Sequence, residues 1–161
     1  MGILKGALSV RRYRVEGEAP EGFRDTWRDA LDAHGFREPL SPVHKEETVG
    51  WVQAHNLLDT TFADLDRWLY NHYALFALRM DKKVLPAKLF AAHLQKRQEA
   101  WCKANNRERV PPPVKKELRE LLEVEMLRQT LPRVTTTEVA WHIGEGWCIV
   151  HSGSERVNDT F

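Results

Sequence analysis

The stretch from Tyr73 to Arg109, YALFALRMDKKVLPAKLFAAHLQKRQEAWCKANNRER, carries three element signals in succession. Tyr73 to Met80 is an almost unbroken apolar run, the pattern of a strand buried on both faces and therefore central in its sheet. Asp81-Lys82-Lys83 reverses the chain. Pro86 suits the first position of a helix, where its missing N–H would have no partner in any case. At about 100° per residue, Phe90, Leu94, Trp101 and Ala104 share one sector of that helix, and Lys88, Lys96, Lys103 and Arg107 gather in another. One face is built to bury and the other to carry positive charge.

The charge is local. Between Phe76 and Lys116 there are eleven Lys or Arg against three acids, a net +8, while the whole chain carries 24 bases and 23 acids. The rest therefore sums to −7, and a near-neutral chain is strongly polarised along its length. Such a basic segment attracts phosphate backbones or anionic surfaces and says nothing direct about fold.

At 161 residues, with 42% apolar and 29% charged residues, the chain has the size and composition of one globular domain. No run approaches the roughly 18 apolar residues of a membrane span. The opening MGILKGALSVRRY has too short an apolar segment for a secretory signal, so a cytoplasmic location without membrane contact is expected. Cys102 and Cys148 are expected to be reduced thiols. Several of the six tryptophans must be core or interface residues.

Other elements follow in order. Gly6 to Val15 reads as a half-exposed strand with Leu8 and Val10 among its apolar members. Pro20 begins a helix in which Phe23, Trp27, Ala30 and Leu31 recur at helical spacing through Ala33, with Gly35 as its stop. Glu47 to His55 predicts a second strand with Val49, Trp51 or Val52 inward. Asn56 to Asn71 is a short helix or an ordered loop. After Pro111-Pro112-Pro113 a further helix runs to about Gln129 on a stripe of Val114, Leu118, Leu121, Leu122 and Met126. The last part, Thr135 to Ser152 around Gly144-Glu145-Gly146, is a β-hairpin, and Ser154-Glu155 starts another helix. Together these predict a single α+β domain over residues 1–161, a mainly antiparallel sheet with helices packed on one face.

Three chemistries deserve weighing. A metal-dependent nuclease needs two or three converging carboxylates; Asp59, Asp64 and Asp66, with Glu46 and Glu47 upstream, lack a clear pattern and read better as loop acids. His142, Cys148 and His151 share one hairpin, where the turn could set His142 opposite Cys148, yet no usual zinc spacing is present. Neither metal nor cofactor is expected. As a nucleophile, Cys148 sits amid Trp147, Ile149 and Val150, and a buried thiol is inert.

The basic segment remains. A charge run is ordinarily a solvated helix face, but Arg79, Lys82, Lys83, Lys88, Lys96, Lys103 and Arg107 cluster on one turn and helix, the candidate surface for phosphate contacts. The alternatives are a protein-interaction module that such charges only solubilise, and the nuclease.

At these residues the sequence resembles the recombination-associated RdgC family of bacterial DNA-binding proteins. The resemblance rests on ALFALRMDKKVLP (Ala74 to Pro86), the charged helices after it, Leu131-Pro132-Arg133, the tryptophan-containing hairpin and Val49-Gly50-Trp51. It implies a non-enzymatic, nucleoid-associated protein that binds duplex DNA with little sequence preference, forms ring-like homodimers and restrains the recombinase RecA. The basic residues from Arg79 to Arg107 would then help line the DNA surface. The chain covers about the first half of a longer relative, the expectation being a short or truncated member, and ring closure in the longer proteins draws on both halves.

Overall fold

The structure is a computed structural model that describes residues 9–161. The elements are β1 (Arg11–Arg14), α1 (Phe23–Ala33), β2 (Thr48–Gln53), a 3-10 turn (Leu65–Arg67), β3 (Leu69–Tyr70), β4 (Tyr73–Lys82), α2 (Ala87–Ala104), α3 (Pro112–Gln129), β5 (Arg133–His142), β6 (Trp147–Val150) and α4 (Glu155–Thr160). The strands form one sheet in the order β1-β6-β5-β4-β2, with β3 on β4. Pairs β1·β6, β2·β4, β3·β4 and β5·β6 are antiparallel. The α+β class and the antiparallel sheet read from the sequence are therefore correct. Of the expected first strand, Gly6 to Leu8 lie outside the described residues.

The chain divides into two compact units. The first contains the described residues up to Glu38 together with Thr48–Asp81 and Val134–Phe161, and the second contains Pro39–Glu47 and Lys82–Arg133.

In the sheet unit, β4 is central as its unbroken apolar run requires, and every residue from Ala74 to Asp81 is buried. Phe23, Trp27 and Leu31 recur every four residues, which gives α1 one apolar face. That face covers the sheet: Leu31 joins Phe62, Trp68, Ala74, Phe76, Val139, Cys148 and Val150 in the core, and Trp27 stacks on Trp141 with ring centroids 4.2 Å apart. Fully buried Trp68 donates its Nε1–H to the carbonyl of Phe62 at 3.0 Å. Burying such a ring contributes on the order of 5 kcal/mol. On the same face, Tyr13 donates to Asn158 Oδ1 at 2.6 Å and so holds α4.

Gly35 follows α1 but is no left-handed helix cap; among the described residues the glycines with positive φ are Gly17, Gly22 and Gly146. Instead the segment pairs with β2. Trp51 N–H donates to the His34 carbonyl at 3.0 Å, and Phe36 N–H to the Trp51 carbonyl at 2.9 Å. The approach is so close that a Cβ on Gly50 would lie 2.3 Å from the Phe36 Cα. Of the β2 residues expected to point inward, Val52 is fully buried, Trp51 half-buried and Val49 exposed.

In the helical unit α2 and α3 pack on each other, and Phe90, Leu94 and Trp101 on α2 and Val114, Leu118 and Met126 on α3 are half-buried. The α3 stripe differs from the expectation in two places. Leu121 is exposed, and Leu127 is buried with Leu122. No side chain of α2 is fully buried.

Candidate nucleic-acid interface

The seven basic residues singled out from the sequence fall into two groups. Arg79 and Asp81 lie two apart on β4, and residues i and i+2 of a strand share a face. Their side chains therefore meet: Nε and Nη2 of Arg79 donate to the two Asp81 carboxylate oxygens at 2.9 and 2.6 Å. Nη1 donates to the Leu57 carbonyl at 3.1 Å, and the guanidinium lies 4.0 Å from the Phe36 ring centroid. Donating these hydrogen bonds to the Asp81 carboxylate raises the Arg79 pKa above its ordinary value. With only 7% of its side chain exposed, Arg79 presents no cation to solvent, so its expected place on an open basic surface is corrected.

Lys83 is also engaged, within the helical unit. Its Nζ donates to the Pro42 and Leu127 carbonyls at 2.9 and 2.8 Å. Leu127 lies in the last turn of α3, whose carbonyls have no intrahelical partner, so the ammonium satisfies one of them. Lys83 is thus a helix-capping cation first.

The other five are different. Lys82, Lys88, Lys96, Lys103 and Arg107 are exposed, and among the described residues none has a side-chain ion pair or hydrogen bond. Lys88, Lys96 and Lys103 lie within about 80° of one another around α2, opposite the half-buried sector that contains Arg97. Arg97 spends its charge on Glu125. From Lys88 to Lys103 the helix rises about 22 Å. At the far end of this row, a groove of about 510 Å³ brings Arg109 and Lys115 beside Lys103, together with Glu99 and Glu108.

Two of the acids, Asp59 and Asp64, have structural partners. Asp59 accepts from Thr61 N–H at 3.1 Å and its hydroxyl at 2.8 Å and pairs with Arg67 Nη1 at 2.7 Å. The Thr61 backbone bond is the main cause of its lowered pKa. Asp64 accepts from Asp66 N–H and begins the 3-10 turn. Among the described residues, no group of three or more His, Cys, Asp or Glu is placed to hold a metal ion. The hairpin register also departs from the expectation, since His142 pairs with Trp147 and Cys148 with Trp141, which puts His142 and Cys148 on opposite faces.

Cys148 borders a cavity of about 420 Å³ in the sheet unit that four tryptophans line, Trp27, Trp51, Trp68 and Trp141. Burial pushes its thiol up to about 11. At pH 8.5 the native chain should therefore react with a disulfide reagent at half-buried Cys102 and only slowly at Cys148, the second thiol becoming available on denaturation. A thiol count near two in the native state would contradict this. The linkage follows in sign: a folded pKa above the unfolded value of 9.0 leaves this contribution to stability intact below pH 9 and removes it as pH rises toward 11.

Among the described residues no helix is long and apolar enough to cross a membrane. No curated protein matches the chain. A family model described as "Putative exonuclease, RdgC" matches residues 9–161, nearly the whole length, and the chain belongs to the RdgC family.

Proposed function

We propose that this RdgC-family chain is a non-enzymatic protein that holds duplex DNA without sequence preference, on the cations of α2 and its flanks. The carrying observation is the row Lys88, Lys96 and Lys103, with Lys82 and Arg107 beyond its ends, five exposed charges unmatched by any carboxylate among the described residues. Unpaired ammonium groups about 22 Å apart at the extremes of one helix face are suited to phosphates. Phosphate contacts give affinity and register but do not read bases. The structural employment of Asp59 and Asp64 supports holding DNA over cutting it. A homodimer that occupies DNA in this way would restrain a RecA-type recombinase by covering its substrate.

The test is a titration of a short duplex at several salt concentrations. The double substitution Lys96→Glu and Lys103→Glu is expected to weaken binding and flatten the log–log salt dependence by about 0.9 per lost phosphate contact. Unchanged affinity and slope remove the reading. Loss of plasmid integrity in magnesium or manganese would overturn its non-enzymatic part.

A further inference from the structure

At the other side of the sheet unit from its core, the β5–β6 turn gathers aromatic rings that the phosphate-binding reading does not use. His142 and Trp147 are cross-strand partners, near parallel at 28° with centroids 5.3 Å apart. Tyr73, at the start of β4, meets His142 edge-on at 4.6 Å and lies 6.0 Å from Trp147; His72 lies nearly parallel to His142 at 6.0 Å. Backbone pairing fixes the group, since Ile143 N–H donates to the His72 carbonyl at 2.8 Å. Tyr73 is 43% exposed. Trp147 is half-buried beside it, so the Tyr73 ring is the part of the group that faces water most openly.

Beside the rings runs β1, an outer strand of the sheet. Arg14 stands opposite Trp147 in register, and the Arg12 guanidinium lies 5.9 Å from the Trp147 ring centroid. That distance is the outer limit of a cation–π contact, about 6 Å, so Arg12 is held loosely. Arg11, Arg12 and Arg14 are exposed and have no carboxylate partner among the described residues. The one acid in the group, Glu145, accepts from Trp147 Nε1–H at 2.7 Å and orients that ring.

We propose that Tyr73 and Trp147, flanked by Arg12 and Arg14, form a second nucleic-acid site that takes unpaired nucleotides of single-stranded DNA. The rings stack on bases and the guanidinium groups meet the adjoining phosphates, a combination that tolerates any sequence because every base has a π-face. A duplex keeps its bases stacked inside and has nothing to offer the rings. The simpler role, a cross-strand pair that only steadies the hairpin, accounts for His142 against Trp147. It does not account for exposed Tyr73 or for Arg12 and Arg14, which share the face of Trp147 on the neighbouring strand and have no carboxylate partner among the described residues. The site belongs to the sheet unit alone, and the proposal does not rest on the lysine row.

The experiment measures fluorescence anisotropy of a labelled twelve-residue oligothymidylate with the full chain, beside an abasic strand of equal length. The expected result is binding of the thymidylate, clearly weaker binding of the abasic strand, and roughly tenfold or greater loss in Tyr73→Ala and in Trp147→Ala. Arg12→Ala, which leaves the hairpin rings in place, should also weaken binding. Lys96→Glu with Lys103→Glu, which tests the duplex surface, should leave the difference between the two strands unchanged. Equal affinity for abasic and thymidylate strands, or full affinity in Tyr73→Ala and Arg12→Ala together, overturns the proposal. Tighter binding of an oligouridylate would reassign the site to RNA and overturn it as stated.

Discussion

Asp81→Ala is expected to lower the free energy of unfolding by about 3–5 kcal/mol, because it leaves a buried guanidinium without its counter-charge. Arg79 would retain the Leu57 carbonyl and the Phe36 ring, neither of which neutralises it. Both side chains of the pair are less than a tenth exposed, so water cannot take the place of the carboxylate cheaply. Denaturant unfolding reads the loss directly. Replacing both partners by apolar residues, Arg79→Met with Asp81→Leu, should recover much of it, since the pair's desolvation nearly cancels its attraction. A loss below about 1 kcal/mol in the single variant would mean that the pair behaves like a screened surface bridge.

Gly50→Ala is the second large effect, and its cause is steric. The added methyl would stand 2.3 Å from one backbone atom of Phe36 and 2.5 Å from another, with no flexible side chain able to yield. The segment His34 to Phe36 must move off β2. Two backbone hydrogen bonds then go, with part of the packing of Phe36 on Val52 and Ala77. A loss of about 3 kcal/mol or more is expected. Hydrogen exchange at the Phe36 amide should accelerate with it, and unchanged protection there would contradict the account. Val49→Ala, one residue earlier at an exposed position, serves as the comparison.

These two residues also mark where the sequence was and was not legible. The unbroken run of β4, the opposed faces of α2 and the glycine-flanked hairpin turn are periodic, local signals, and each produced its element. Arg79 misled because a count of charges treats it like Lys96. The correcting signal was nonetheless present: an arginine inside a strand buried on both faces, with an aspartate two residues on, can only be a pair. Lys83 could not be placed, because its acceptors lie 41 and 44 residues away. Gly35 looked like a helix stop, and only the pairing with Trp51 shows why it is small. The ring cluster was equally hidden, since Tyr73 and His142 meet through strand order, and strand order is not written in the periodicity of either segment. The Cys148 side was decided by a register that a one-residue slip would have reversed.

The helix that displays the unmatched lysines fully buries none of its side chains, whereas β4 buries eight in succession. Eighteen residues of helix are only marginally stable alone in water, so this segment opens at lower cost than the strand before it. Any polyanion gripped there must first quiet that motion, and the entropy lost in doing so is subtracted from what the charges supply. Loose holding and quick release would then originate in how shallowly the helix is seated, whatever the number of its ammonium groups.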